Sequence, residues 1–553
     1  MPKKTITIKI AGPAGFGIKS GGLLISEYLR KLGLYFTDYS EYPSLVRGGH
    51  NTYQTTFSST PIYSVSQKID IFFSLKPDFW QSHQDEFIPD TLIYKDLPAS
   101  DHPNMTCFGI TVALLDGDTK LAKDLIKKTY PKSIQSNLTA FDVGYKFAEK
   151  NKGLFKIKPQ IAKSDNQQIF DGNQAFAHGF YKAGGKFYAA YPMTPATGAL
   201  HQLAKNAKDW GITVVHPEDE IAAASMAVGA SFTGAPSAVG TSGGGFALMT
   251  ETVSLCGTTE IGVLFYLVSR PGPATGLPTW TSQADLLFSI FSGHGDFLKV
   301  VIAPTSQQTT FDLAIKALHL SQALQTPVIL ISDKLIAESS CSLPDFNLIK
   351  NTPYKETLVT SPSKNYQRYA PSTIGVSDRT IPGTPNGQFL ANSYEHDFTG
   401  LSTEDALTVK SMADKRAKKL ALAKKITPKP ILHKNNGKNL LISWGSPIGA
   451  IKQALAMGLK DYDLLEVITL WPLDDVIKEI SQKYKKIIVI ENNQFGHLNF
   501  LLKTIGVNSD KFISKYDGRP FFPEEIIKNL SNLLLPGKSD KAIPRSPQPS
   551  ASR

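Results

Sequence analysis

The sequence is poor in cysteine and has no long hydrophobic run. Its 553 residues include three cysteines, Cys107, Cys256 and Cys341, which lie far apart and form no CxxC pair. This spacing argues against a disulfide framework and against a four-thiolate metal or iron–sulfur site in the chain. No apolar run approaches the roughly 20 residues that span a bilayer, and no secretory signal is recognisable. We therefore expect a cytoplasmic protein without membrane segments.

The sequence also lacks the patterns of several common catalytic sites. It shows no Ser/His/Asp set, no metal-ligand cluster and no P-loop, so we expect no metal site in this chain. Gly12, Gly15 and Gly17 are spaced as GxxGxG, whereas a dinucleotide-binding turn has the order GxGxxG. Such a turn can hold a phosphate at a helix N-terminus, or its glycines can permit close packing of strand and helix. The sequence leaves both interpretations open.

Positive charge exceeds negative charge, but the excess is local. The formal net charge is +11, and many of the lysines lie in residues 410–438 and in the tail. No aromatic residues alternate with the lysines of 410–438, as they do in many single-strand nucleic-acid grooves. We therefore interpret this segment as a solvated basic helix and expect no nucleic-acid partner.

Alternation of short apolar strands with amphipathic helices predicts an α/β protein of several domains. The central strands are continuous apolar runs, which is typical of a doubly wound parallel sheet. The predicted divisions are an α/β domain at 1–150, a polar linker at 151–166, the doubly wound domain at 167–345, an extended excursion and basic helix at 346–436, a smaller α/β domain at 437–535 and a disordered tail at 536–553.

Stiff or glycine-rich turns follow four strands of the predicted central domain. Their sequences are YPMTPATG from residue 191, HPEDE from 216, TSGGGFALMTE from 241 and RPGPATGLPT from 270. In parallel α/β sheets, ligands bind beyond the carboxyl ends of the strands. These four turns together therefore predict one pocket. A single turn would not be sufficient evidence for it.

Three polar residues of these turns are candidates for function. Thr194 lies between Pro192 and Pro195, so its hydroxyl is held rigidly, although it can also cap the next helix. Glu220 begins an alanine-rich helix. Its carboxylate either interacts favourably with the helix dipole or is a buried group with a function. Arg270 follows an apolar strand and matches a carboxylate partner, or it lies at the surface. The set lacks a nucleophile, so a cofactor would have to carry the chemistry.

The four turns, in this order, resemble the α subunit of thiamine-dependent 2-oxoacid:ferredoxin oxidoreductases, especially the 2-oxoglutarate type. Two segments near the start, AGPAGFGIKSGG and EYPSLVRGGHN, are similar to the γ domain of that family, fused here ahead of α. The resemblance covers nearly the whole chain except the tail. It implies a γ-type α/β domain, a pyrimidine-binding doubly wound domain and a transketolase C-terminal-like α/β domain.

The resemblance also implies roles for individual residues. Glu220 would hydrogen-bond the aminopyrimidine ring of thiamine diphosphate and help to form its ylid. Thr194 and Arg270 would bind the substrate, Arg270 through its carboxylate, and Tyr191 and Thr275 would line the same pocket. Further cofactor contacts would come from Ser242, Gly243 and Gly244, and a possible coenzyme A loop would comprise Gly12, Gly15, Gly17, Arg47, Gly48 and Gly49.

The implied reaction is oxidative decarboxylation of a 2-oxoacid to acyl-CoA and carbon dioxide, with electrons passing to ferredoxin. This chain lacks a diphosphate/Mg²⁺ motif and cluster-binding cysteines. The resemblance implies that Mg²⁺ and a 4Fe-4S cluster belong to a β subunit. The resemblance therefore implies an active site shared with β, in a heterodimer or a dimer of heterodimers. Pyruvate, branched-chain or indolepyruvate specificity and a degenerate scaffold subunit remain the alternatives. Met193 and Ala196 depart from the Ile and Ser that are frequent in this turn.

Overall fold

The computed structural model describes residues 5–43, 49–157, 166–354 and 358–534. Three mixed sheets with helices on their faces confirm the predicted α/β class. Each sheet, with its helices, is called here the first, middle or third unit. Within the described ranges, no helix is long and apolar enough to cross a bilayer.

The first unit carries a core of buried aliphatic and aromatic side chains between its sheet and four helices. Its elements are β1 (Thr5–Pro13), α1 (Ile18–Lys31), β2 (Tyr35–Glu41), β3 (His50–Ser58), β4 (Ile69–Ser74), β5 (Phe87–Tyr94), α2 (Pro103–Leu114), α3 (Thr119–Thr129) and α4 (Ile134–Phe147). Strands β1, β4 and β5 run parallel to one another, while β3 is antiparallel to β1 and β2.

The middle unit has six parallel strands in the order β11-β12-β10-β9-β7-β8. The elements in this part of the chain are β6 (Gln167–Asp171), α5 (Gly172–Lys182), β7 (Phe187–Ala189), α6 (Thr197–Trp210), β8 (Thr213–Val215), α7 (Glu220–Phe232), β9 (Ser237–Thr241), α8 (Gly243–Leu248), α9 (Thr250–Thr259), β10 (Leu264–Ser269), α10 (Leu286–Phe291), β11 (Val300–Ile302), α11 (Gln307–Leu324), β12 (Val328–Asp333), α12 (Lys334–Glu338) and β13 (Ser340–Pro344).

The described residues between 345 and 405 contain one short 3-10 helix and otherwise irregular chain, and a long helix then leads into the third unit. The elements are α13 (Ala406–Ile426), β14 (Ile431–His433), β15 (Asn439–Ser443), α14 (Pro447–Ala456), β16 (Tyr462–Glu466), β17 (Thr469–Trp471), α15 (Val476–Ser481), β18 (Ile487–Glu491), α16 (His497–Thr504), β19 (Lys511–Ser514) and α17 (Pro523–Leu534). The predicted tail at 536–553 lies outside the described residues, as does half of the predicted linker, residues 158–165.

Three strands lie in sheets that the predicted divisions do not assign to them. The predicted central domain begins with β6 and ends with β13, but these two strands pair with each other and join the first sheet through β2. The apolar stretch at 463–470 forms two strands, of which β16 stays in the third sheet. The other, β17, adds antiparallel to β11 at the edge of the middle sheet. One buried core consequently extends through the middle and third units.

The basic helix α13 is not simply solvated, which corrects the interpretation of its charge. Lys415 and Lys419 are almost fully buried and contact the two carboxylate oxygens of Glu260 at 2.6 and 2.7 Å. Arg368, also buried, donates to the backbone carbonyl of Glu260 at 3.0 Å. A buried carboxylate therefore anchors this helix on the middle unit, because each buried charge has a partner.

Removing the charge of Glu260 should destabilise the chain strongly. Glu260→Gln would leave Lys415 and Lys419 buried without a counter-ion, and breaking a buried pair in this way costs about 3–5 kcal/mol. We expect a lower midpoint of urea unfolding. Glu404→Gln, an exposed change just before α13, is the matched control and should leave the midpoint unchanged. An unchanged midpoint for Glu260→Gln would contradict the anchoring role.

The contacts of Glu260 with Lys415 and Lys419 also predict how the free energy of unfolding depends on pH. Burial alone would raise the pKa of Glu260, but Lys419 and Lys415 outweigh it and lower that pKa from 4.5 to about 2. A depressed carboxyl pKa adds stability that is complete above the unfolded pKa and is lost as the pH falls through the folded one. On the acid side, the difference in the free energy of unfolding between the parent chain and Glu260→Gln should therefore narrow only below about pH 4.5. On the alkaline side it should narrow as Lys415, whose pKa burial lowers to about 8, loses its charge.

Candidate active site

The four polar turns predicted to form a pocket follow adjacent strands of the middle sheet. Strands β10, β9, β7 and β8 are neighbours in that order, and every pair among them is parallel. The turns after these strands therefore leave the same edge of the sheet. A continuous row of turns at one carboxyl edge is where this fold places its ligands, so we take this edge as the candidate active site.

The turn after β7 brings Thr194 to Arg270. The Arg270 guanidinium donates a hydrogen bond from Nη1 to the Thr194 carbonyl at 2.8 Å. The residue that precedes α6 is Ala196, and no side chain caps that helix. Thr194 is therefore not a helix cap, and its backbone is instead fixed by the arginine that follows β10. Two of the three candidate residues, Thr194 and Arg270, are therefore in direct contact.

Glu220 begins α7 with its side chain directed into the protein. The residue is 4% exposed, and its Oε1 atom is fully buried without a hydrogen-bond partner in the structure. Asp219, the residue before it, caps the helix by accepting from the Ala222 backbone N–H at 2.7 Å. Capping is thus performed by Asp219, which leaves the Glu220 carboxylate free of that role. A buried acceptor without a partner indicates a missing donor.

The glycine turn after β9 lies between two carboxylates. A Cβ atom on Gly245 would lie 2.7 Å from Oε1 of Glu220, and one on Gly243 would lie 2.8 Å from both carboxylate oxygens of Asp285. Gly244 is exposed, with no atom near the place a Cβ would occupy. Ser242, fully buried, also has a hydroxyl without a partner. The turn therefore offers a narrow, side-chain-free surface beside two acids.

Arg270 and Asp285 share a poorly solvated region of the loop after β10. Burial lowers the pKa of Arg270, and the charge of Asp285 opposes that change. Burial raises the pKa of Asp285 to about 6, against the effects of the Ser269 hydroxyl and the Arg270 charge. The Nε atom of Arg270 and the Oδ2 atom of Asp285 are buried without hydrogen-bond partners. The guanidinium thus keeps donors available for a ligand.

Two predicted pocket residues lie further out. Tyr191 is 39% exposed and packs edge-on against the ring of His216, with ring centroids 6.0 Å apart. Thr275 is exposed on the loop after β10. The structure gives neither residue a contact with Thr194, Glu220 or Arg270. Both therefore lie at the solvent-exposed mouth of the candidate site and not in its buried part.

Sequence reasoning missed two residues of this loop. The motifs do not single out Asp285, nor Thr279, whose buried hydroxyl has no hydrogen-bond partner. Both follow the proline- and glycine-rich part of the loop, where the sequence has no period from which burial can be inferred. Their only signal was position, since they are polar residues within 16 positions of the end of β10.

The first glycine turn is far less suggestive of a ligand. A Cβ on Gly12 would lie 2.8 Å from Cβ of Leu75, so that glycine serves close packing. Gly17 is the residue before α1 and has φ 69°, and Gly15 has φ 93° with open space beside it. Gly49 is next to β3. Arg47 and Gly48, also predicted for this loop, lie outside the described residues.

His50, beside this loop, already contacts another side chain of the protein. Its Nε2 atom lies 2.7 Å from Nε2 of His83, whose other nitrogen contacts Glu86 at 2.8 Å. Burial lowers the pKa of His50 to about 4, so the ring is neutral near pH 7. His50 therefore does not supply a cation for a substrate carboxylate.

The buried edge fits an organic cofactor better than a metal. Six buried polar atoms without hydrogen-bond partners lie at the ends of these strands or in the segments that follow them: Glu220 Oε1, Ser242 Oγ, Ser269 Oγ, Arg270 Nε, Thr279 Oγ1 and Asp285 Oδ2. Acceptors, a donor and hydroxyls together suit a ligand with both amine and carboxylate groups. Among the described residues, no group of three or more His, Cys, Asp or Glu side chains is arranged to hold a metal ion.

Two family models match the chain. Residues 178–415 match one described as pyruvate flavodoxin/ferredoxin oxidoreductase, thiamine diP-bdg, and residues 7–103 match one described as pyruvate ferredoxin/flavodoxin oxidoreductase. A 2-oxoacid:ferredoxin oxidoreductase subunit alpha from a Sulfolobus species is 29% identical over 96% of this chain and 97% of its own length. The chain belongs to the α-subunit family of 2-oxoacid:ferredoxin oxidoreductases. Members of this family are oxidoreductases that work as one subunit of a complex.

Other relatives extend this α-subunit assignment. A 2-oxoglutarate oxidoreductase subunit KorA from Mycobacterium tuberculosis is 29% identical over 76% of this chain and 67% of its own length. A solved structure of 2-oxoglutarate:ferredoxin oxidoreductase from Magnetococcus marinus, with 2-oxoglutarate, coenzyme A and succinyl-CoA bound, superposes with a TM-score of 0.88. It is 27% identical and covers 96% of this chain and all of the solved chain. The family resemblance seen in the sequence is thereby confirmed.

Proposed function

We propose that this α subunit supplies the pyrimidine- and substrate-binding half of a thiamine diphosphate-dependent oxidoreductase whose substrate is 2-oxoglutarate. The products are succinyl-CoA and carbon dioxide, and the electrons pass to ferredoxin. The observation that carries the proposal is the set of buried polar atoms without partners at one edge of the middle sheet, with Glu220 and Arg270 among them. A cofactor and a substrate supply the missing partners.

Glu220 is the residue that would hold the cofactor ring. When bound, thiamine diphosphate supplies the carbon nucleophile and the electron sink for decarboxylation. Glu220 Oε1 is a buried acceptor without a donor, which suits an N–H of the aminopyrimidine. Gly245 permits close approach to this carboxylate, and Ser242, Gly243 and Gly244 form the surface beside which a flat ring can lie.

Thr194 and Arg270 would hold the substrate. Arg270 already donates to the Thr194 carbonyl through Nη1, and this contact fixes the guanidinium while Nε remains without a partner. A carboxylate matches the guanidinium fork, so the 1-carboxylate of the 2-oxoacid is its natural ligand. The Thr194 hydroxyl then lies on a rigid turn beside that carboxylate, while Thr275 and Tyr191 would contact the part of the substrate nearer the mouth.

The second carboxylate of 2-oxoglutarate requires a further cation or donor. Because His50 is partly buried, neutral near pH 7 and in contact with His83, it is not available for this role. His216 is exposed after β8 and packs against Tyr191 at the mouth of the site, so it is our candidate. Two of the relatives named above are described as acting on 2-oxoglutarate, which supports the same substrate.

A partner chain would complete the site. The α-subunit family works in complexes, and the described part of this chain offers no metal-ligand group. We assign Mg²⁺, the cofactor diphosphate and a 4Fe-4S cluster to a β subunit in a heterodimer or a dimer of heterodimers. Large apolar side chains exposed on or beside α7, α8, α10 and the flanking loops supply a surface for that subunit: Tyr191, Ile221, Met226, Leu248, Leu277 and Phe291. For coenzyme A, we propose the first unit, near Gly15 and the loop that contains Arg47 and Gly49.

Co-expression with a thiamine-binding β chain tests the proposal. The purified complex should reduce a viologen dye only when a 2-oxoacid and coenzyme A are both present, and kcat/KM should be highest for 2-oxoglutarate. This chain alone should show no turnover. Full activity without a β chain would refute the shared site, and equal kcat/KM for pyruvate would refute the substrate assignment.

A further inference from the structure

The loop that joins β10 to α10 begins at Arg270 and is held from outside the middle unit. Its residues 280–283 are hydrogen-bonded to segments that follow strands of the third unit. We propose that Arg519 of the third unit is a positioning residue, which fixes this loop through Trp280 and so holds Arg270 ready for the substrate carboxylate. The inference rests on the proposed function, because it needs a 2-oxoacid carboxylate at Arg270.

The central contact is between a cation and an aromatic ring. The central carbon of the Arg519 guanidinium lies 3.8 Å from the centroid of the Trp280 ring, and both residues are half-buried. A cation above an indole face is attracted by the quadrupole of the ring. The guanidinium is itself oriented, since its Nη1 donates to the backbone carbonyl of Asp517 at 3.0 Å. Arg519 therefore presents its charge to Trp280 in a fixed position.

The neighbouring residue, Gly518, lets the two backbones approach each other. Its carbonyl accepts a hydrogen bond from the N–H of Thr281 at 3.0 Å. It has φ 85°, and a Cβ atom on it would lie 3.2 Å from Cβ of Trp280 and 3.3 Å from Cδ1 of Leu277. Glycine suits this position because it adopts a positive φ without strain and has no side chain. The turn after β19 is thus shaped to pack against the loop.

A second set of contacts is made by Gln283, which is fully buried. Its Nε2 donates to the carbonyl of Trp444, the residue after β15, at 2.8 Å. Its Oε1 accepts from the N–H of Asn492, the residue after β18, at 2.7 Å, and its own N–H donates to the Asn492 carbonyl at 2.8 Å. Segments after three strands of the third sheet therefore hold residues 280–283.

Backbone hydrogen bonds connect Trp280 with the start of the loop. Pro271 follows Arg270 directly, and its carbonyl accepts from the N–H of Leu277 at 2.9 Å. The Leu277 carbonyl in turn accepts from the N–H of Trp280 at 3.2 Å. Two hydrogen-bonded turns thus join Arg270 to Trp280, and they form a contiguous path along which the position of one residue affects the other.

The physical consequence concerns substrate affinity. A loop that is ordered before the substrate arrives has less conformational freedom to lose on binding. If only a fraction of the molecules holds the loop in the binding-competent position, the apparent dissociation constant rises by the inverse of that fraction. Saturating substrate draws all molecules into that position, so kcat stays the same. Loss of folded protein, in contrast, would lower the apparent kcat and leave KM unchanged.

The test is Arg519→Ala in the complex with a thiamine-binding β chain. We expect KM for 2-oxoglutarate to rise by about fivefold to thirtyfold, which is the effect of a partly desolvated cation–π contact, and kcat to be unchanged. Calorimetry provides a readout without turnover. The Kd of 2-hydroxyglutarate, which has both carboxylates but no keto group, should rise by the same factor, whereas the Kd of thiamine diphosphate should not change.

Further variants separate the contact from general packing. Arg519→Lys keeps a charge above the ring and should recover part of the affinity, and Arg519→Met keeps the aliphatic stem should Ala not fold. Lys528→Ala removes an exposed charge from α17 in the same unit and should change neither constant. In a Trp280→Leu background, Arg519→Ala should have no further effect on KM, because the coupling acts through the indole ring.

Three outcomes overturn the inference. An unchanged KM for Arg519→Ala shows that the contact does not hold the loop for the substrate, and a lower kcat at constant KM shows a role in stability alone. A rise in KM confined to dicarboxylic 2-oxoacids would place Arg519 on the substrate itself. Failure of the proposed function looks different, because Arg270→Ala would then leave KM intact. If Arg270→Ala raises KM while Arg519→Ala does not, only the inference fails.

Discussion

Replacing Glu220 by Gln should lower kcat of the reconstituted complex by about a hundredfold to ten-thousandfold, the range that positioned acid–base groups contribute. The substitution keeps the shape of a side chain that is 4% exposed, so folding should be preserved. What disappears is the anionic acceptor at Oε1, which has no donor within the protein. The measurement is steady-state turnover with saturating thiamine diphosphate and coenzyme A.

A matched control lies two residues away. Glu218 is exposed just before the same helix, and Glu218→Gln should leave kcat within about twofold, as surface changes usually do. A second readout follows the proton directly: exchange of the C2 proton of bound thiamine diphosphate, measured by NMR after acid quench, should slow in Glu220→Gln only. Equal turnover of the Glu220→Gln and parent complexes would remove Glu220 from the cofactor site.

Arg270→Ala should raise KM for 2-oxoglutarate by about thirtyfold to several hundredfold. Removing one partner of a charge-assisted, partly desolvated pair costs about 2–4 kcal/mol. The substitution also removes the hydrogen bond from Nη1 to the Thr194 carbonyl, so the threonine turn loses its support. Arg270→Lys should recover only part of the loss, because an ammonium group does not reproduce the planar fork.

Initial rates over a wide range of 2-oxoacid concentrations separate KM from kcat for these variants. Lys205→Ala removes the same formal charge from the exposed side of α6, the helix after the Thr194 turn, and should leave KM unchanged. Since Arg270 is assigned to the 1-carboxylate, mono- and dicarboxylic 2-oxoacids should lose affinity by the same factor. A loss confined to 2-oxoglutarate would instead assign Arg270 to the distal carboxylate.

The turns of the candidate site could be predicted because each follows a short apolar run. Once the runs are interpreted as parallel strands, their carboxyl ends must share an edge, and the structure shows that β10, β9, β7 and β8 are indeed neighbours. The contact of Arg270 with Thr194 could not be predicted, since the two residues are 76 positions apart and meet only through this strand order. The position of Asp285 could not be predicted for the same reason, because Gly243, against which its carboxylate packs, lies in another turn.

The errors in the predicted fold also have physical causes. Helix α2 was not predicted, because it is apolar on all sides and buried, and such a helix has no 3.6-residue period to detect. The division between β16 and β17 leaves no mark in the sequence, because Val467 and Ile468, which separate them, are themselves buried and apolar. Lys415 and Lys419 were assigned to solvent, since their counter-ion Glu260 is about 155 residues away in the sequence.

The antiparallel strand β17 makes the middle and third units interdependent. It is encoded beyond residue 466, yet it covers the outer edge of β11 in the middle sheet. A fragment that stopped after β13 would uncover that edge, and bare edges template intermolecular pairing and aggregation. The middle unit therefore needs a strand from beyond its own C-terminal end. We expect that it can neither be expressed alone nor exchanged between relatives without that strand.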